Sequence, residues 1–397
     1  MKKSNLITTI ILLIGVTVLW GLPLSRLYPA DPTETYTFHI ELAQKMAQGK
    51  FIGTPHFLYQ LLVITIHKLA PFISFNIAGY YVIPICACWI LAIITEYNIR
   101  QTIPFSHFYK KEFYSIPITL ALMIITPISL FTYPRLYLGY IGITMYHSAT
   151  TLLAKPICLL ILNTITKIFK HPTYYSKKLN LSLFFLTILS LITKPNYIIC
   201  LIPAVFFVII YKLYMNKLIN WMSIIWSLCF PALIVLGWQF SLTYLNDPTF
   251  IKGGRSSIIF APFTVMSFYS TSLLYDFIMS ILFPLSVYIL FWEKAKNEFS
   301  LNLAWLIFLV SIFYIYFLGE SSRMYAGNFL WGGQITLFIL FVYSISFLFK
   351  QQNLDDFYFA SILHKLRTKF FLCLLIFGFH SINGLVYLMY VTQTGGY

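Results

Sequence analysis

Apolar runs of about 20 residues, broken by short polar or basic segments, dominate this chain. A run of that length crosses a bilayer as a helix. Charged residues make up only 10% of the sequence and hydrophobic ones 59%. Soluble domains carry about 25% and about 45–50% respectively. That excess excludes a soluble globular protein, and it excludes disorder, which needs low hydrophobicity and high charge. The fold class read from the pattern is an all-α polytopic membrane protein.

The runs place eleven spans at roughly 5–25, 75–95, 113–133, 150–168, 180–194, 196–214, 220–243, 273–292, 300–318, 327–349 and 370–391. Met1-Lys2-Lys3 and the first run resemble a signal peptide, but no small-residue cleavage site follows. The run is therefore read as an uncleaved first span. A twelfth apolar stretch, 57–72, contains His67 and Lys68 and is short for a crossing. Charge decides its status. If it does not cross, the segments on the N-terminal side hold 17 of the 27 Lys and Arg residues, and every strongly basic loop shares that side. The stretch is therefore expected to be an outer juxtamembrane or re-entrant helix, with the N-terminus cytoplasmic and the C-terminus outside. Residues 1–397 read as one membrane domain, in which 26–72 form the outer juxtamembrane helices.

The formal charge of +15 is spread over these loops rather than gathered in a patch, so nucleic acid is not an expected partner. The six cysteines all fall in apolar runs and suggest no disulfide framework. No P-loop, dinucleotide, zinc or nucleophile-elbow motif occurs. No cofactor or metal is expected from spacing.

Polar chemistry collects on the outer side. Asp31 precedes Pro32, as an N-cap would, and Glu34 follows three residues later. Phe38, Leu42 and Met46 then recur every four residues, which predicts an amphipathic helix ending at Gly49. Asp31 is either a helix cap or a catalytic carboxylate. His147 lies in a Tyr- and Gly-rich outer loop that starts at Arg135, and would bind phosphate, shuttle a proton or simply sit at the interface. Lys155 and Lys194 lie near outer span ends, as snorkelling anchors or as cations for a ligand. Arg255 sits in a further polar loop, as a lid or a solvated turn. Glu320 and Arg323 are three apart and are expected to pair on one helical turn, beside a backbone shaped for close approach by Gly327, Asn328, Gly332 and Gly333.

The segment carrying Asp31, Glu34, Tyr36, Ala43, Gly49, Pro55, Leu58 and Tyr59 resembles the GT-C superfamily of integral membrane glycosyltransferases. The likeness covers about residues 5–72 in motif detail, and size and span count beyond. The chain has Asp-Pro-Thr-Glu where that family often has Asp-x-Asp or Asp-Glu, so either Asp31 or Glu34 fits the role of base. The resemblance implies a GT-C-like fold and an inverting hexosyltransferase with a polyprenyl-phosphate-linked sugar as donor. The acceptor would be a lipid, a glycan or a protein at the outer face of a bacterial inner membrane. A carboxylate base, Asp31 or Glu34, would take the acceptor's proton. Arg135, His147, Lys194, Arg255 and Arg323 would receive the leaving phosphate, with Glu320 orienting Arg323. Two other functions fit the outer charges: a polysaccharide polymerase acting on lipid-linked repeat units, and a lipid-linked-sugar flippase or transporter.

Overall fold

The structure is a computed structural model and describes residues 3–30, 35–50, 54–103, 108–129, 139–173, 176–245, 257–351 and 360–395. Each of the eleven expected spans contains a long helix. These are α1 (Lys3–Ala30), α4 (Phe75–Thr102), α5 (Phe108–Ile124), α6 (Ala149–Lys170), α7 (Lys177–Thr193) and α8 (Asn196–Tyr214). They continue with α9 (Trp221–Leu245), α11 (Leu273–Leu290), α12 (Phe299–Phe317), α13 (Leu330–Lys350) and α14 (Ala360–Thr394). Between them lie α2 (Thr35–Ala47), α3 (Leu58–Leu69) and the short α10 (Thr264–Tyr269). Among the described residues, nine helices are long and apolar enough to cross a membrane. The chain is thus a multi-pass helical membrane protein. α5 and α7 have 17 residues each. At about 1.5 Å rise per residue they fall slightly short of a hydrocarbon core about 30 Å thick.

α13 is the central post. In its most apolar stretch 89% of residues are buried, against 22% in α1, whose Leu6, Ile7, Ile10 and Ile14 are exposed. Lipid therefore faces α1, while α13 packs against α12, α4, α11, α6 and α8.

One end of the molecule is tied by the polar residues that flank the basic loops. Thr8 donates to Glu112 (2.6 Å). Arg100 reaches Glu96 (3.4 Å) and Glu112 (3.5 Å). Glu298 accepts from Lys170 and Lys350, and Lys212 donates to the Phe169 carbonyl. Helix ends that charge counting placed together do meet. Burial raises the Glu298 carboxyl, but hydrogen bonds from Lys350 and Ser300 and the Lys170 charge outweigh it and hold the group at about 2.

α2 and α3 pack together at the opposite end. α3 has 12 residues, so it is about 18 Å long and too short to cross. The Tyr59 hydroxyl donates to the Gly79 carbonyl (2.8 Å). The Gln239 amide donates to the Pro55 carbonyl (2.6 Å) and the Leu191 carbonyl (2.9 Å). These contacts seat the pair on the adjoining ends of α4, α7 and α9. Only glycine fits at 79: an added Cβ would lie 2.5 Å from Ile40.

Three expectations change. First, the span expected over 113–133 ends as a helix at Ile124. Pro127 disfavours helical geometry at Thr126, and side chains take over the freed backbone. Thr144 donates to the Ile125 carbonyl (2.8 Å), His380 Nδ1 to that of Thr126 (2.7 Å) and Asn383 to that of Pro127 (2.6 Å). Irregular backbone survives at membrane depth when it is buried and satisfied in this way. Second, the all-α fold carries one short ribbon that the apolar pattern does not announce. β1 (Ile258–Phe260) and β2 (Leu318–Glu320) form an antiparallel ribbon with Ile258 opposite Glu320. Third, the buried stripe of α2 is Tyr36, His39, Ile40, Leu42 and Ala43; of the expected stripe Leu42 is buried, and Phe38 is 62% exposed.

Gly384 on α14 lies against the point where α5 ends, and an added Cβ would sit 2.1 Å from the Ile124 carbonyl oxygen. Backbone cannot yield as a side-chain tip can. Gly384→Ala is therefore expected to cost about 2 kcal/mol or more. Gly378→Ala, which meets nothing within 4 Å, should be neutral or stabilise by up to about 1 kcal/mol. Thermal unfolding of the two variants in the same detergent checks the pair. Equal melting temperatures would contradict this packing.

Candidate functional site

Asp31, Glu34, Arg135 and Arg255 lie outside the described residues. The remaining expected site residues fall into two groups at the end of the molecule where α2 and α3 pack.

The first group is cationic. Pro195 stands between α7 and α8, and the residue preceding a proline avoids helical geometry. Lys194 accordingly leaves the helix with extended backbone as the α7 C-cap. Its side chain turns inward rather than snorkelling and is 8% exposed. The ammonium donates to Thr150 Oγ1 (3.2 Å) and lies 4.0 Å from the Trp331 ring centre. His147, on the loop before α6, packs edge-on to the same indole with ring centres 6.2 Å apart. From the other side, α2 brings in His39 and the turn before α3 brings in His56, their rings 6.2 Å apart. The Gln60 amide nitrogen meets His39 Nδ1 at 2.7 Å. With that nitrogen donating, the His39 proton sits on Nε2.

Burial lowers His39 to about 3, with His56 and Lys194 adding to the effect. It lowers His56 to about 4 and His147 to about 3, and the Lys194 charge adds in both cases. The imidazoles are thus neutral N–H donors, and burial lowers Lys194 as well, to about 7, so that a bound anion would hold its charge. Lys155 lies deeper, 3% exposed, and donates to the Ile143 carbonyl (2.6 Å). Among the described residues, no carboxylate forms an ion pair with Lys155 or Lys194. Within the same set, the Tyr36 hydroxyl and Gln60 Oε1 are buried without a hydrogen-bond partner. Buried cations are normally paired. This arrangement is suited to receive an anion. Among the described residues, no group of three or more His, Cys, Asp or Glu is placed to hold a metal ion.

The second group surrounds Glu320. The expected Glu320–Arg323 ion pair does not form: Glu320 ends β2 and is not on a helix. The backbone turns after it, the Arg323 N–H donates to the Glu320 carbonyl (3.2 Å), and the Arg323 side chain is exposed. The Glu320 carboxylate accepts instead from Asn328 Nδ2 (2.7 Å) and lies near Tyr244. It lines a narrow recess walled by Met266, Tyr269, Phe329 and Leu330. The glycines that looked shaped for a ligand serve packing and turning. Gly333 lies against Ile315, Gly332 against Cys200, and Gly327 takes the left-handed conformation (φ 64°).

The two groups share a wall. The Asn328 carbonyl accepts from Asn196 Nδ2 (2.9 Å), two residues after Lys194, and Trp331 lies three residues after Asn328. Sequence reasoning did not single out His39, His56, Gln60 or Trp331. Reading the α2 stripe from Tyr36 rather than Phe38 puts His39 on the buried face, so that signal was present. No family model and no curated protein matches the chain.

Proposed function

We propose that the chain is an inverting membrane glycosyltransferase. It moves a sugar from a polyprenyl-phosphate donor to a lipid, glycan or protein acceptor at the outer face of a bacterial inner membrane, with its N-terminus cytoplasmic. The observation that carries this reading is the buried Lys194 side chain, which forms no ion pair with a carboxylate among the described residues and lies in the same neighbourhood as His39, His56 and His147. Such a cluster favours an anionic ligand reaching the outer membrane boundary, and a lipid phosphate is one. The chain also runs from Glu34 straight into Thr35, the first residue of the helix that bears His39.

On this reading the acceptor hydroxyl attacks the anomeric carbon as Asp31 or Glu34 removes its proton. The bond from that carbon to the phosphate oxygen breaks in the same step, so configuration inverts. The departing polyprenyl phosphate gains negative charge. Lys194 and the imidazole N–H groups would meet that charge, and their burial would strengthen such contacts. Arg135 and Arg255 remain candidates for the same task.

The test is mass spectrometry of surface glycans and lipid-linked intermediates from wild-type and deletion strains. Loss of one sugar residue from otherwise complete chains is expected. Accumulation of single repeat units would instead indicate a polymerase. An unchanged glycan profile would remove the proposal.

A further inference from the structure

Outward-facing apolar side chains belong on helices that cross a membrane, but here they continue onto a segment that does not cross. On the spanning helix α12, Leu309 and Phe313 are exposed four residues apart, and Phe317 follows four residues later. Such spacing puts all three on one face, and that face is turned to lipid. Ring contacts carry the stripe off the helix. Phe313 stacks on Phe317 (ring centres 5.2 Å apart), and Phe317 stacks on Phe260 of β1 (6.0 Å). Phe317 also meets Phe263, in the turn after β1 (5.3 Å). Phe260 is 68% exposed, and Phe263 is exposed too. On α10, exposed Phe268 stacks on exposed Tyr325 with ring centres 4.4 Å apart.

Neither the ribbon nor its turn is built for water. Alternate residues of a strand share a face, so Ile258 and Phe260 lie together on the exposed side of β1. A ribbon with that side in water would carry polar residues there. Phe263 holds left-handed backbone (φ 59°), which strains a bulky residue and would not strain glycine. The turn thus keeps an aromatic ring at a strained position. Contiguous exposed apolar surface of this kind marks contact with a membrane or another protein.

Continuity and polarity select the membrane. The aromatic surface extends the lipid-facing stripe of α12 without a break. Polarity then changes along the ribbon. Phe260 pairs with Leu318 at the end next to α12, and Ile258 pairs with Glu320 at the other end. Beyond that pair the Ser257 and Ser321 hydroxyl oxygens lie 3.0 Å apart, and Arg323 is exposed. An apolar-to-polar gradient over one short ribbon matches the boundary between acyl chains and headgroups. Backbone groups on an open sheet edge are not tolerated in the hydrocarbon region, so the ribbon stops at that boundary.

We propose that β1, β2 and α10 form a membrane-dipping element, in which Phe260, Phe263 and Phe268 enter the lipid leaflet at the level where headgroups meet acyl chains. The element holds the Glu320–Asn328 segment at headgroup depth. The bond from Asn196 to the Asn328 carbonyl ties that segment to the end of α8 beside Lys194. The proposal is independent of the reaction the chain performs.

The test uses the full chain in phospholipid nanodiscs. Phe260, Phe263 and Arg323 are replaced, one at a time, by trifluoromethyl-phenylalanine. Fluorine NMR relaxation is measured with a phospholipid spin-labelled near the top of its acyl chain and, separately, with a water-soluble gadolinium chelate. At positions 260 and 263 the lipid label should enhance relaxation several-fold more than the chelate does. At position 323 the order should reverse. Two separate aromatic positions guard against misfolding of either variant. Stronger relaxation of 260 and 263 by the chelate would overturn the proposal. So would shielding of both from both reagents, as a second copy of the chain or another protein covering the patch would cause. A lipid-dominated signal at 323 equal to that at 260 would overturn the placement of the ribbon at the boundary.

Discussion

Lys194→Met is expected to abolish most sugar transfer while leaving the protein as stable as wild type, or more stable. The ammonium is 8% exposed, and its contacts are a hydroxyl and an indole face. Among the described residues it has no carboxylate partner. A buried charge held only by neutral groups carries a desolvation cost of several kcal/mol. Methionine keeps most of the apolar stem and removes that cost. A residue that served folding would behave oppositely: breaking a buried ion pair by removing one partner destabilises by about 3–5 kcal/mol. Removing one preorganised group that meets developing negative charge lowers turnover by about 10²–10³. Thermal unfolding and transfer assays on the same preparation check both halves. A melting temperature well below wild type with normal transfer would assign Lys194 to the fold.

The second large effect is expected at the acidic pair. Loss of a general base lowers rate by about 10²–10⁴. Asp31→Asn and Glu34→Gln should therefore differ, one losing that factor and the other far less. The substitutions are chosen to separate chemistry from capping. Asn caps a helix as well as Asp does, whereas losing a cap costs about 0.5–2 kcal/mol. Asp31→Asn thus removes a base and keeps a cap. Transfer rates at matched protein abundance name the base. Full activity in both single variants and in the double variant would leave Asp31 and Glu34 without a catalytic role.

Much of the fold is legible in the sequence because membrane-spanning helices follow from one-dimensional quantities, the length of an apolar run and the bias of Lys and Arg. Lysine parity separated 57–72 from the spans, and α3 is indeed a short helix packed on α2. The same quantities are silent about side-chain direction. At the end of a span, Lys194 reads alike whether it snorkels outward or turns onto Trp331. Tertiary contacts decide, and here Thr150 and Trp331 hold it inside. The early end of α5 at Ile124 depends on Asn383 and His380, more than 250 residues away, which no local pattern announces. The Glu320–Arg323 spacing suits a helix, but Glu320 lies in a strand because Ile258–Phe260 supplies a partner edge. Half of the site is legible as well: His147 and Lys194 come together, whereas His39 and His56 join them through the packing of α2 on α3.

The most direct test of the anion site is native mass spectrometry of the full chain with a polyprenyl phosphate, comparing wild type with Lys194→Met. The phosphate should bind wild type and lose at least tenfold in affinity in the variant, while a neutral polyprenol binds both equally. Equal binding of the phosphate to both proteins, or none to wild type, would contradict the assignment of the Lys194 cluster as the donor phosphate site.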